Sequence, residues 1–402
     1  MKILFINDYL QKVGGTEKII YDTKHLLENR GHEVKILGSQ KSYTNSFWKS
    51  CFSGWFNIYF FYKTKKLINQ FSPEIVHIHG IHKILSPSVL FAARISNVPT
   101  VATIHDFYTI CPKEWMIFQD KHECKYGFGW RCLVSDCYPH LKESKIFFWL
   151  KRPYHWLKWV KLAIYRKIIR TYVDCFISPS MPLNIWVAKS LKTDKNIYLP
   201  NFVEINEKTK INSTQINPCQ FLFVGRLTKE KGAHIAIRAI ETLAKKDRLK
   251  KIQLIIIGDG PERNSLEHLV QTRQLTQNIK FLGKVDHRKL HYYYQRSLAV
   301  LMPSIWMENN PLVALEAMKY SKPIIASNTG GLADLIEHNK TGYLFRRENS
   351  LQMAKYIKKM YNNIKLSQKM GAAGFGKLEE KFSQKAYYKK LIKIYSQVIN
   401  EY

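Results

Sequence analysis

The sequence predicts an α/β protein of two doubly wound units in tandem, each a parallel sheet with helices on both faces. Three observations predict it. The 402 residues exceed one ordinary core and suit two. Short apolar runs with strand character alternate with stretches of helical period. That alternation stops at a polar segment, residues 204–218, and then restarts.

The elements follow in order. Residues 2–8 read as a buried strand, and Gly14-Gly15 as the turn after it. Ile19, Ile20, Thr23, Leu26 and Leu27 then share one face of a helix, and Gly31 sits where a C-terminal cap belongs. Further strands are expected at 33–37, 75–79, 100–105 and 174–178, and 197–199 has strand character. After the polar segment, strands are expected at 220–224, 253–257, 280–282, 298–302 and 323–326, with helical patterns between them. The last stretch, 383–402, carries an apolar stripe of Tyr387, Leu391, Ile394, Tyr395 and Val398. The expected organisation is a first domain over 1–203, a linker over 204–218 and a second domain over 219–382. A final helix over 383–402 is expected to pack back towards the first domain.

Charge narrows the partners. Lys plus Arg is 63 and Asp plus Glu 31, a net +32. So basic a surface suits nucleic acid, an anionic membrane or phosphorylated ligands, or else is a solubilising lysine coat. No recognised nucleic-acid module occurs, so nucleic acid is not an expected partner. The run Ile3-Leu4-Phe5-Ile6 ends at Asn7-Asp8, too short for a signal peptide core, and no apolar run reaches the length of a spanning helix. Seven cysteines fit a reducing compartment better than a disulfide framework. The expectation is a cytoplasmic chain, peripheral on the inner face of the membrane.

In a doubly wound sheet, ligands bind where strands end and helices begin. Two such places carry charged motifs. One is PSIWMENNPLVALEAMKY, residues 303–320. Asn310 reads as an N-cap and Pro311 as the first helical residue, which aims the N–H groups of Leu312 and Val313 at an anion. Glu308 precedes that helix and Glu316 lies in its second turn. Carboxylates beside an anion site suit the hydroxyls of a sugar or ribose, although alone each could be an ordinary surface Glu. The other place is FLFVGRLTKEKG, residues 221–232, where Arg226 and Lys231 suit a diphosphate; a plain basic loop is the alternative.

The order matters more than either motif. Gly225-Arg226 and Lys231 come first, then Gly258-Asp259-Gly260-Pro261, then Glu308 and Glu316, then Thr329-Gly330-Gly331. This pattern resembles the C-terminal domain of the retaining glycosyltransferase family 4, which has the two-domain GT-B fold with a central cleft. The resemblance implies that Arg226 and Lys231 bind the donor diphosphate, Glu316 the ribose and Glu308 the transferred sugar. It also implies that the backbone at Gly14-Gly15 meets a phosphate and that His105 faces the sugar. One departure is plain: many members follow the first Glu with Gly-aromatic-Gly, where this chain has Asn309-Asn310-Pro311. By the same resemblance no metal or other cofactor is needed. The substrates are a nucleotide sugar, UDP- or GDP-linked, and a glycan or lipid-linked acceptor. The expected setting is synthesis of cell-surface polysaccharide or lipopolysaccharide. A sugar-nucleotide epimerase of the same fold and a non-catalytic membrane scaffold are the alternatives.

Two segments lie outside that pattern. Cys111, Cys124, Cys132 and Cys137 are separated by twelve, seven and four residues, a poor match to a zinc ribbon, though His122 and His140 lie near. His77 and His79 alternate on a strand and are read as packing or cleft wall. Residues 141–170 hold nine Lys or Arg and one Glu, interleaved with Phe147, Phe148, Trp149, Tyr154, Trp156, Trp159 and Tyr165. That pattern suits a helix pressed into an anionic bilayer, with packing as the competing reading. A second aromatic stretch, 55–62, could add to the same surface.

Overall fold

The computed structural model describes residues 1–11, 14–40, 56–112, 116–118, 122–134, 145–205, 216–217, 219–245 and 251–402; for 117–118, 122–123, 134 and 145–155 the backbone alone is described. Trp55, Cys137, His140, most of the 204–218 segment, and the side chains of His122, Phe147, Phe148, Trp149 and Tyr154 therefore lie outside the described residues. The chain forms two compact units: Met1–Pro200 together with Tyr387–Tyr402, and Asn201–Ala386.

The first unit runs β1 (Lys2–Tyr9), α1 (Gly15–Glu28), β2 (Glu33–Ser39), α2 (Ile58–Phe71), β3 (Ile75–Gly80), α3 (Ser88–Ile95) and β4 (Thr100–Thr103). A small hairpin, β5 (Ile117–Phe118) with β6 (His122–Glu123), and α4 (Arg131–Val134) precede the long α5 (Lys145–Tyr172). Then come β7 (Cys175–Ser178), α6 (Met181–Leu191) and β8 (Asn196–Tyr198). The sheet order is β2-β1-β3-β4-β7-β8, all parallel. Ile3, Leu4, Phe5 and Ile6 are all fully buried, as a central parallel strand covered on both faces requires.

The second unit runs β9 (Gln220–Val224), α7 (Ala233–Ala244), β10 (Gln253–Ile257), α8 (Arg263–Thr272), β11 (Ile279–Gly283), α9 (His287–Arg296) and β12 (Ala299–Met302). It continues with α10 (Leu312–Lys319), β13 (Ile324–Ser327), α11 (Leu332–Leu335), β14 (Gly342–Phe345), α12 (Ser350–Tyr361), α13 (Ile364–Lys381) and α14 (Gln384–Glu401). The order β11-β10-β9-β12-β13-β14 is again parallel. Strand alternation builds two cores, one per face. Phe221, Phe223, Leu254, Ile256 and Leu301 pack with Ile237, Ile240 and Ile357. Leu222, Ile255, Ile257, Val300 and Met302 pack with Leu290, Tyr294, Leu315 and Leu378. The period of two along each strand sorts neighbours onto opposite faces, so helices must cover both.

From Tyr387 onward α14 belongs to the first unit. The Tyr395 hydroxyl bonds His77 Nδ1 at 2.5 Å, and Tyr388 bonds His32 Nε2 at 2.9 Å. These bonds come from one amphipathic helix, on which Tyr388 is half-buried and Tyr395, Leu391, Ile394 and Val398 are buried.

Three sequence expectations change. The strand expected over 100–105 ends at Thr103, which leaves His105 in the following loop. Strand β14 was not anticipated, being four residues opened by a glycine. Trp159 and Tyr165 do not lie on a membrane-facing stripe. Trp159 donates to the Gly129 carbonyl at 3.0 Å and stacks on Phe128, and Tyr165 is buried with Leu162 and Ile169. The packing reading holds for that half of α5, although Trp156 is 55 % exposed. No helix among the described residues is long and apolar enough to cross a membrane.

Candidate active site

In the second unit the first strand, β9, has β10 on one side and β12 on the other. The strand order therefore reverses between β9 and β12, and ligands of open α/β sheets bind outside that point. Both charged motifs leave the sheet there: Arg226 and Lys231 after β9, Glu308 after β12. The loops are pressed together at backbone level. Gly258 has φ +138, and a Cβ on it would lie 1.8 Å from the Gly225 carbonyl oxygen, so no other residue fits.

Lys231 and Glu308 meet. Lys231 Nζ donates to Glu308 Oε1 at 2.7 Å, and Ser304 Oγ donates to the same oxygen at 2.6 Å. Glu308 is 5 % exposed, while the Lys231 ammonium lies over the Trp306 ring at 5.0 Å. Burial pushes the Glu308 carboxyl up, but the nearby Lys231 charge and the bonds from Lys231 and Ser304 outweigh it and hold the group below its ordinary range. Glu308 is thus an ionised, oriented carboxylate. Its peptide oxygen accepts from Gly331 N at 2.7 Å, which ties the Thr329-Gly330-Gly331 loop to it.

Glu316 has a different set of partners. His287 Nε2 lies 2.9 Å from its Oε1, and the Tyr294 hydroxyl donates to its Oε2 at 3.0 Å. Burial, followed by the Glu316 charge and the bond to it, pushes the Tyr294 hydroxyl well above its usual range, so it stays a donor. Sequence reasoning missed Ser304, His287 and Tyr294. The signal for the last two was the spacing His287, Leu290, Tyr294, which lines one face of α9.

Asn310 is not the N-cap. Pro311, extended at φ −71 and ψ 123, takes that place, and α10 starts at Leu312. The Asn310 side chain is buried, and among the described residues neither its Nδ2 nor its Oδ1 has a hydrogen-bond partner. Its carbonyl accepts from Asn201 Nδ2 at 2.9 Å. The side chains of Leu312 and Val313 pack on the core, so what this turn offers a ligand is its backbone N–H groups. Arg226 is exposed.

In the first unit the strand order reverses between β1 and β3. Gly15, exposed, opens α1 after β1. The Asp8 carboxylate, buried at the end of β1, accepts from the N–H groups of Lys83, Ile84 and Leu85 at 2.8–2.9 Å and so shapes the loop after β3. His105 follows β4, and its Nε2 lies 3.0 Å from His79 Nδ1. His77 is bonded at both nitrogens, to Tyr395 and, at 2.7 Å, to Thr103 Oγ1. Burial pushes His77 down to about 3 and His105 down to about 4, the latter against the pull of Asp106, and carries His79 well below the usual range. All three rings are neutral at pH 7. His79 and His105 line a cavity of about 30 Å³ with His82, Asp106, Tyr108 and Tyr165. Among the described residues, no cluster of His, Cys, Asp and Glu could hold a metal ion. Cys111, Cys124 and Cys132 are buried.

Comparison with known proteins adds the following. Residues 13–207 match the family model described as Glycosyltransferase Family 4, and residues 204–377 the one described as Glycosyl transferases group 1. An alpha-D-kanosaminyltransferase of Streptomyces kanamyceticus is 29 % identical over 177 residues, 44 % of this chain and 45 % of the relative. An amylovoran biosynthesis glycosyltransferase of Erwinia amylovora is 27 % identical over 190 residues, 46 % of each. The chain spans about half the length of the curated relatives it matches. Among solved structures, Anabaena HepE in complex with UDP aligns over 99 % of this chain and 100 % of its own, with a TM-score of 0.67 at 16 % identity. Identity that low speaks for the fold alone, and the fold is GT-B.

Proposed function

This chain belongs to the family 4, group 1 glycosyltransferases, and on that premise we propose that it moves a sugar from a nucleotide sugar to a glycan or lipid-linked acceptor, with retention at the anomeric carbon. The observation that carries the reading is the oriented Lys231–Glu308 pair at the strand-order reversal. As the bond from the anomeric carbon to the diphosphate breaks, the carbon becomes positive and the departing oxygens negative. Arg226, Lys231 and the N–H groups of Leu312 and Val313 stabilise the diphosphate, with no metal ion required. The acceptor hydroxyl attacks from the same face and passes its proton to the leaving phosphate. Glu316 accepts from ribose hydroxyls and Glu308 from those of the transferred sugar, as ionised carboxylates do strongly. Asn310 is a further sugar contact. In the first unit, His105 is the partner of the sugar and the Gly15 backbone that of a phosphate.

The donor is a UDP- or GDP-linked sugar, and likeness to an amylovoran biosynthesis glycosyltransferase supports cell-surface polysaccharide as the setting. Two substitutions test the site. Glu316→Ala and Lys231→Ala should each reduce transfer by orders of magnitude in a donor-turnover assay while the protein stays folded. Near-normal turnover in either would remove that residue from the site. A thermal-shift series with UDP-, GDP- and ADP-sugars identifies the donor, because a ligand bound only by the folded state raises the melting point.

A second reading concerns where the enzyme works. Phe56, Ile58, Tyr59 and Tyr62 are all roughly half exposed or more, beside the exposed Lys63 and Lys66. Aromatic and basic groups together suit the interface of an anionic bilayer, where each lysine contributes about 1 kcal/mol. This favours a peripheral enzyme on the inner face of the membrane, held by α2 rather than by the packed half of α5. Sedimentation with anionic and with neutral vesicles checks it: binding should require anionic lipid and fall in Tyr59→Ser/Tyr62→Ser. Equal partitioning onto both vesicle types would defeat the electrostatic part.

A further inference from the structure

We infer that His79 is a positioning residue, which fixes the ring nitrogen of His105 that carries the proton and therefore what His105 presents to a sugar. The inference rests on the proposed role of His105. Parallel pairing sets Ile78 beside Ala102, so His79 stands level with the end of β4, and the loop brings His105 onto it. The contact joins Nδ1 of one imidazole to Nε2 of the other at 3.0 Å. Both rings are neutral, so each carries one hydrogen, and the shared contact holds one hydrogen between them.

The second nitrogen of His79 decides which ring supplies it. His79 Nε2 is buried and has no partner among the described residues. A buried N–H left unpaired is rarer than an under-used acceptor. The hydrogen of His79 therefore sits on Nδ1 and is donated to His105 Nε2. His105 must then hold its own hydrogen on Nδ1, and that N–H is the group it offers a ligand. The ring of His79 is clamped in place. His77 packs against it, tilted by 31° with the ring centres 4.1 Å apart, and Phe5 meets it edge-on at 4.9 Å. His77 cannot turn either, since Tyr395 and Thr103 hold both its nitrogens. This is an outer layer that orients a ligand-contacting imidazole before substrate arrives.

The test is histidine ¹⁵N NMR on the full chain, read alongside steady-state kinetics. The wild type should show His105 as the Nδ1–H tautomer. His79→Phe keeps a ring in the same packing but removes the donor. It should give a tautomer mixture at His105 and lower kcat at least tenfold, with the donor KM changed less than twofold. His79→Asn, whose amide can donate from near the Nδ1 position, should recover the single tautomer and most of kcat. His79→Gln, which reaches towards the Nε2 position, should not. If His79→Phe fails to fold, the Asn and Gln pair carries the comparison. An unchanged His105 tautomer in His79→Phe, or equal behaviour of Asn and Gln, overturns the inference. Near-normal transfer by His105→Ala instead overturns the underlying role of His105, an outcome the tautomer measurement does not depend on.

Discussion

Asn310 separates what a residue does for the fold from what it does for a ligand. It lies between Glu308 and the first turn of α10, buried, with both amide atoms unpaired among the described residues. An unpaired buried amide costs about 1–3 kcal/mol of stability. Asn310→Ala should therefore leave the melting temperature unchanged or raise it, while the donor KM rises at least fivefold. A fall in melting temperature with unchanged KM would make Asn310 a structural residue. At this scale the sequence displayed the ionisable residues of the motifs, because Lys231, Glu308 and Glu316 stand at strand ends in a recognisable order. It did not display Ser304, His287 or Tyr294, which reach those carboxylates only once β12 and α9 are packed. The capping role read for Asn310 failed because Pro311 sits in an extended conformation and moves the helix start one residue on.

Strand β3 and the loop after β4 hold three histidines that stay neutral when folded. In the unfolded chain each takes up a proton near its ordinary value of 6.5, whereas in the native chain His105 waits until about 4 and His77 until about 3. The unfolded state therefore binds more protons between those limits, and stability rises with pH there. The stabilisation is complete above pH 6.5 and is lost as pH falls towards 4, by up to about 1.4 kcal/mol per pH unit for each histidine. Urea unfolding of the full chain at pH 7, 6 and 5 should show this slope, and His77→Phe should flatten it by about a third. A slope equal to that of the wild type would place the acid sensitivity elsewhere. Elements were legible in proportion to burial. The long apolar strands β1, β9 and β10 were evident because parallel strands are covered on both faces. Short β14 and the hairpin β5–β6 were not, having too few residues to show a period. Aromatics at helical spacing on α5 gave no sign of which way they face; packing turned Trp159 and Tyr165 inward.

At the scale of the whole molecule, the two units are not simply consecutive. The chain leaves the first at Pro200, builds the second, and comes back at Tyr387. Removing residues 387–402 takes away the bond to His77 and the cover that Leu391, Ile394 and Val398 provide. Calorimetry of a chain ending at 386 should show the second unit melting as before and the first melting at least 10 °C lower. Coincident transitions, unchanged from the full chain, would show that the helix is dispensable. The tandem of two parallel sheets was readable from the restart of alternation after residue 218, whereas the return of the chain is a tertiary event that a stripe of apolar residues can only suggest. The return has a consequence for synthesis on the ribosome. Domains made early usually fold while later ones are still being translated. Here the early unit must wait, with the His77 face of its sheet open, until every residue of the later unit has been made. A transcript interrupted near its end therefore yields a protein whose later-made half is sound and whose first-made half is the one exposed to proteases and chaperones.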